Sequence, residues 1–267
     1  MKSNRSFKPK TKYVAAAVLV AAYFLGFAAR VYSPAHIGHL AIPIPTLIPL
    51  SRHLSSDNPS QNSAANLSAR TNAPLNFTHN NIITTFFWVG EPADSDNGNI
   101  ANSASAWDGQ WEQHYGGVDD PTPRQGFYPA GFTPKENPFY IALPYDDIDD
   151  SGDRKASASH CPLVDHNSSY SWCKNSWVAI RHSDKVVYAQ WEDAGPFGED
   201  DTAYVFGSAA PKNQRGAKAG LDVSPAVRDY LDLQDVDRCD WTFVNAKDVT
   251  NGPWKQIVTT SKGYSVN

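Results

Sequence analysis

Gln190-Trp191-Glu192-Asp193-Ala194-Gly195-Pro196-Phe197 and Gly220-Leu221-Asp222-Val223-Ser224-Pro225-Ala226-Val227 are the stretches on which the reading of this chain turns. In the first, a strand carries an acidic residue to its end, and Gly-Pro then turns the chain sharply. In the second, a carboxylate stands just before a helix start. Ser224 is a good N-cap, Pro225 suits the first helical turn, and Ala226, Val227, Tyr230 and Leu231 share one face, which predicts a helix from Pro225 to about Leu231. Each acid also has a purely structural explanation. Asp193 is placed to bond the backbone of its own turn, and helix N-termini stabilise carboxylates such as Asp222.

Working outward, the segments around these stretches read as strands. Ile82–Val89 is β-branched and aromatic and stops at Gly90, and Phe139–Leu143 is an apolar run stopped by Pro144. Trp177–Arg181 and Val186–Trp191 flank His182-Ser183-Asp184-Lys185, a hairpin signal. Ala203–Phe206 and Trp241–Ala246 complete the set. The stretch from Glu91 to Asn137 is a long polar loop with scattered aromatics. The fold class is therefore all-β, with long loops and one short helix, in a single domain over residues 81–262 and a tail over 263–267.

The N-terminus has a different character. Lys2, Arg5, Lys8, Lys10 and Lys12 stand without an acid among them, and residues 13–29 carry no charge and are almost all apolar. A basic flank followed by an apolar run is an export signature, and the basic side should stay in the cytoplasm. Residues 1–30 are expected to form a basic tail with a transmembrane anchor or a cleaved signal helix. Residues 31–80, rich in Pro, Ser and Asn, form a linker. The folded domain then faces the periplasm or cell exterior, held at the membrane through residues 13–29 or secreted if the segment is cleaved.

Charge excludes one class of partner. The chain carries 23 basic and 28 acidic residues, and five of the bases lie in the N-terminal tail. From Glu91 to Asp153, thirteen acids face only Arg124 and Lys135. Such a surface repels phosphate backbones, so no nucleic-acid partner is expected, and a neutral polymer or small polar ligand fits better. Of the three cysteines, Cys161 and Cys173 bracket a short loop and are the expected disulfide pair, which export permits. His160, Cys161, His166 and Cys173 match no zinc spacing. Asp147-Ile148-Asp149-Asp150-Ser151-Gly152 opens like a calcium loop, but Ala158 stands where a closing Glu is needed. No metal and no cofactor is expected.

Taken in order, Asp193–Pro196, a loop, Leu221–Pro225 with its short helix, and the strand Trp241–Val244 resemble double-psi β-barrel domains. The resemblance covers roughly residues 177–249, and Ile82–Val89 more weakly, and is closest to the rare-lipoprotein-A, expansin and family forty-five endoglucanase group. It implies a six-stranded double-psi β-barrel. In the endoglucanases the Asp matching Asp222 is the general acid, so the resemblance implies that role for Asp222, with Asp193 beside it. This chain departs from the pattern in two places. The loop over 198–219 is longer, and its Tyr204-Val205-Phe206-Gly207 is similar to a region of membrane-bound lytic transglycosylases. Phe86-Phe87-Trp88-Val89-Gly90-Glu91 stands where the endoglucanases keep a second acid, which leaves Glu91 as the substitute.

These features imply an extracytoplasmic protein acting on cell-wall polysaccharide, either peptidoglycan or a β-glucan. The reaction expected is glycan cleavage of the lytic transglycosylase or glycosidase type. The alternative is an expansin-like module that binds or loosens glycan without cutting it. Sugars stack on aromatic rings, and Trp88, Trp107, Trp111, Trp191 and Tyr204 are the candidates for that contact. Aromatic residues also fill barrel cores, which is the competing account of Trp191, whereas Trp107 and Trp111 lie in a polar loop and are expected in the groove.

Overall fold

A computed structural model of the chain describes residues 75–265, apart from 96 and 163–165. The anchor and all but the last residues of the linker lie outside the described residues. Among the described residues, no helix is long and apolar enough to cross a membrane.

Six strands close into a barrel. Their ranges are β1 His79–Phe86, β4 Tyr140–Leu143, β5 Trp177–His182, β6 Lys185–Ala194, β7 Leu221–Val223 and β8 Val236–Val244. A separate hairpin of two residues a side, β2 Arg124–Gln125 and β3 Tyr128–Pro129, lies in the long loop. Around the barrel the order is β1-β7-β4-β6-β5-β8, with β8 returning to β1. The pairs β1/β7 and β4/β6 are parallel and the other four antiparallel. A parallel pair cannot be joined by a tight turn, so each is linked by a long excursion of chain. These excursions build the loops over the barrel wall.

Alternation along the strands sorts side chains to two sides of that wall. Ile141 and Leu143 of β4, Leu221 and Val223 of β7, and Val178 and Ile180 of β5 join Trp191 and Trp241 in the main core. Tyr140 and Ala142 of β4 point the other way and pack with Phe87, Val89, Trp111 and Tyr115 in a second, smaller cluster. The barrel is thus filled inside and partly covered outside.

Among the described residues, three α-helices punctuate the loops: α1 Trp111–Tyr115, α2 Thr202–Val205 and α3 Pro225–Leu231. Helix α3 starts as its sequence dictates, with the Ser224 hydroxyl accepting from Val227 N at 3.3 Å while donating to Pro138 O at 2.6 Å. The turn of the β5–β6 hairpin is tight, His182 pairing with Lys185. The segment around Tyr204 is helical rather than extended, because the Asp201 carboxylate caps it by accepting from Tyr204 N. Helix α1 was not legible as a helix in the polar loop, and β8 begins five residues earlier than its aromatic run suggests.

Cys161 and Cys173 form a disulfide with Cα atoms 4.9 Å apart, and Cys239 is a buried thiol on β8. The acids of the 147–152 loop serve local structure. Buried Asp147 accepts from Ser171 Oγ and Trp172 N, each at 2.7 Å, and Asp149 accepts from the amides of Ser151 and Asp153.

Candidate functional site

The strand register brings together residues far apart in sequence. Thr85 of β1 pairs with Asp222 of β7, Asp222 pairs with Ala142 of β4, and Ala142 pairs with Asp193 of β6. Paired residues on neighbouring strands project to the same side, so Thr85, Asp222, Ala142 and Asp193 form a row across the outer wall. Strands lie about 4.8 Å apart, which puts the Cα atoms of Asp222 and Asp193 about 10 Å apart across one alanine. A larger residue at 142 would fill the gap between the two carboxyl groups.

This row floors a groove of about 680 Å³, lined also by Phe86, Trp88, Glu91, Phe197 and Arg215. Glu91 stands on the loop after β1 and is held by Asn102 through backbone and side chain. Asn102 N donates to Glu91 O at 2.9 Å, Gly90 N donates to Asn102 O at 2.8 Å, and Asn102 Nδ2 donates to Glu91 Oε2 at 2.7 Å. Whether Glu91 points inward was beyond the sequence; the Asn102 clamp turns it into the groove, near enough to feel the charge of Asp222.

All three carboxyl groups are hard to ionise. Burial lifts Asp222 to about 6, opposed by a hydrogen bond from Thr85 Oγ1. The helix that follows offers little opposition. Pro225 has no N–H, and the Ser224 hydroxyl already takes the Val227 amide, so few free donors face the carboxylate. Burial lifts Glu91 to about 7 against the Asn102 bond, and the Asp222 charge adds to the rise. Asp193 is lifted to about 7, again by burial, although Ala106 N at 2.7 Å and Ala194 N at 2.8 Å both donate to its Oδ1. The turn role suggested for Asp193 is therefore real, but half of it is long-range, pinning the 103–108 loop to the barrel.

Of the aromatic candidates, only Trp88 lines the groove, with its ring stacked on Phe86 at 5.8 Å between centroids. Trp107, Trp111, Trp191 and Tyr204 are corrected to the packed interior, each with almost no exposure. Each has a structural partner there. Trp107 Nε1 donates to Asp146 at 2.8 Å, Trp191 Nε1 donates to Asp193 O at 2.8 Å, and Trp111 packs edge-on against Tyr140. Tyr204 has a positioning role: Trp241 Nε1 donates to its hydroxyl, which donates to Gly220 O at 2.9 Å, directly before β7. A Cβ at Gly220 would meet the Tyr204 hydroxyl at 2.8 Å and Pro211 at 2.4 Å, so only glycine lets this post approach the strand bearing Asp222. Sequence reasoning missed Thr85, Asn102 and Ala142, whose parts depend on register and loop return.

What fold and groove define together is a closed six-stranded mixed β-barrel with three carboxyl groups raised toward neutrality in one outer-wall groove. No family model matches the sequence, and no curated protein is significantly similar to it.

Proposed function

We propose that this chain is an exported, membrane-held double-psi β-barrel enzyme that cleaves cell-wall polysaccharide, with Asp222 as general acid. The observation that carries this reading is the convergence of Asp222, Glu91 and Asp193 on one groove, each with its proton retained toward neutral pH. A carboxyl group that keeps its proton near pH 6–7 can deliver it to the leaving oxygen of a glycosidic bond. The Thr85 hydroxyl occupies one oxygen of Asp222 and leaves the other for that transfer. Trp88 and Phe86 offer an apolar platform for a sugar face beside the acids.

Two bond-breaking routes suit this floor. In hydrolysis, Asp222 protonates the leaving oxygen while a second carboxylate takes a proton from water attacking the anomeric carbon. Asp193, across Ala142, leaves room for that water, as inverting enzymes require. In the transglycosylase route the sugar's own hydroxyl attacks, and Asp222 alone donates and then recovers the proton. In either route the charge left on Asp222 holds the proton on Glu91 more tightly.

The test is digestion of peptidoglycan and soluble β-glucans, with mass analysis of the products. Hydrolysis adds one water per cut, and the transglycosylase route yields anhydro ends. Retention of glycan without any cut product would replace the enzyme with a binding module. Fractionation of the tagged full-length chain tests the anchor. Recovery of a shortened soluble chain outside the cytoplasm would replace the anchor with a cleaved signal.

A further inference from the structure

The groove's lining is unbalanced in charge, and the imbalance has two layers. On the floor, Glu91 and Asp193 are more than nine-tenths buried, Glu91 accepting from the Asn102 side chain and the Trp88 backbone, and Asp193 spending Oδ1 on the Ala106 and Ala194 amides. Oδ2 of Asp193 is left for whatever occupies the groove. On the rim, Asp94, Glu199 and Asp235 line the same cavity with exposed carboxylates. Among the described residues, the only base in the lining is Arg215, whose guanidinium lies over the Phe197 ring at 4.7 Å.

We infer that the substrate of this groove is a glycan carrying free, protonated amino groups, an amino sugar polymer without its acetyl groups, and this inference rests on the glycan-cleaving reading above. Uronic acids, lactyl groups, peptide carboxylates and phosphates are repelled by the three exposed rim acids, which outnumber the one base. A neutral glycan offers the rim carboxylates only hydroxyl hydrogen bonds, whereas an ammonium group on a sugar flanking the cleaved bond adds a full ion pair. The two layers also keep binding and chemistry apart. A cation placed against the floor would draw the proton from the general acid, but the rim acids hold the amines to either side of it. The stacked Phe86–Trp88 pair supplies the apolar half of the same recognition, since the face of an amino sugar is as apolar as that of a neutral one.

The experiment uses the full-length chain and a β-1,4-linked glucosamine polymer prepared at graded N-acetylation, alongside a soluble β-glucan and peptidoglycan. Cleavage should rise as acetyl content falls, with kcat/KM at least about tenfold higher on the least acetylated polymer, and added salt should raise KM. Asp235→Asn should raise KM on the amine-rich polymer while kcat and Tm hold, because the residue is exposed. Equal or better cleavage of the fully acetylated polymer or the β-glucan would overturn the amine preference and leave the glycan-cleaving reading standing. Absence of cleavage on every polymer would remove that reading and this inference with it.

Discussion

Replacing Asp222 by Asn should make the protein more stable and inactive at once, and the pH dependence of the gain identifies its cause. Burial raises this carboxyl from 3.8 to about 6. Because the folded-state value lies above the unfolded one, ionisation opposes folding. The penalty is absent below about pH 4, where both states are protonated, and complete above the folded value of about 6. At 1.36 kcal/mol per pKa unit the full penalty is about 3 kcal/mol. Groove water reaches part of the residue, and the amide bonds Thr85 less strongly than a carboxylate does. These discounts leave a net gain of about 1–2 kcal/mol at pH 7. For a domain of this size that is an increase of about 2–8 °C in Tm. Thermal unfolding of both proteins from pH 3 to pH 8 should show coincident Tm values at the acid end and a gap that opens from about pH 4 to about pH 6 and then levels. Glycan cleavage by the variant should fall by about 10²–10⁴-fold, the usual contribution of a general acid. A variant less stable than the parent at pH 7, or one whose advantage grows toward acid pH, would refute the claim that Asp222 is held protonated by burial.

Asp193→Asn keeps an oxygen for the Ala106 and Ala194 amides and should reduce activity while raising Tm at neutral pH, by the same linkage as at Asp222. Asp193→Ala orphans both donors and should cost about 1–3 kcal/mol by denaturant unfolding. Trp88→Ala should weaken glycan retention on an affinity gel without lowering Tm, whereas Trp107→Ala, at a fully buried site, should cost about 3–5 kcal/mol. Breaking the Cys161–Cys173 link by Ser substitution should lower stability by about 2–3 kcal/mol for a loop of this length, and non-reducing peptide mapping of the parent should recover the two cysteines joined. An unchanged Tm in the Ser variant would remove the bond from the stability account.

Where local chemistry decides structure, the sequence was enough. Ser224-Pro225 announces helix α3, the polar pair between two β-branched runs announces the β5–β6 hairpin, and Phe139–Leu143 is apolar because β4 is buried among its neighbours. Where structure depends on what the chain meets later, the sequence was silent. Strand β7 has three residues, too few for a period, and exists because β1 and β4 pair with it on either side. Trp107 and Trp111 sit in a polar stretch yet are buried, because that stretch folds back over the barrel. Their spacing with Tyr115, every fourth residue, is close to a helical period and was the available signal. The acids Asp222 and Asp193 were legible as residues worth weighing, but the alanine between them belongs to a third segment and only register reveals it.

That register has a consequence for the timing of the chemistry. The row on the groove floor draws on positions 85, 142, 193 and 222, and Glu91 completes it from a loop clamped by position 102. No two of the four strands that hold the row follow one another through a short turn, so each neighbour is a distant pairing of the kind that forms slowly. Burial, which keeps the protons on these acids, also waits for the covering loops. A chain not yet folded is therefore a string of ordinary carboxylates. On the proposed glycan-cleaving function, the capacity to cut would arise only with the last closure of the ring.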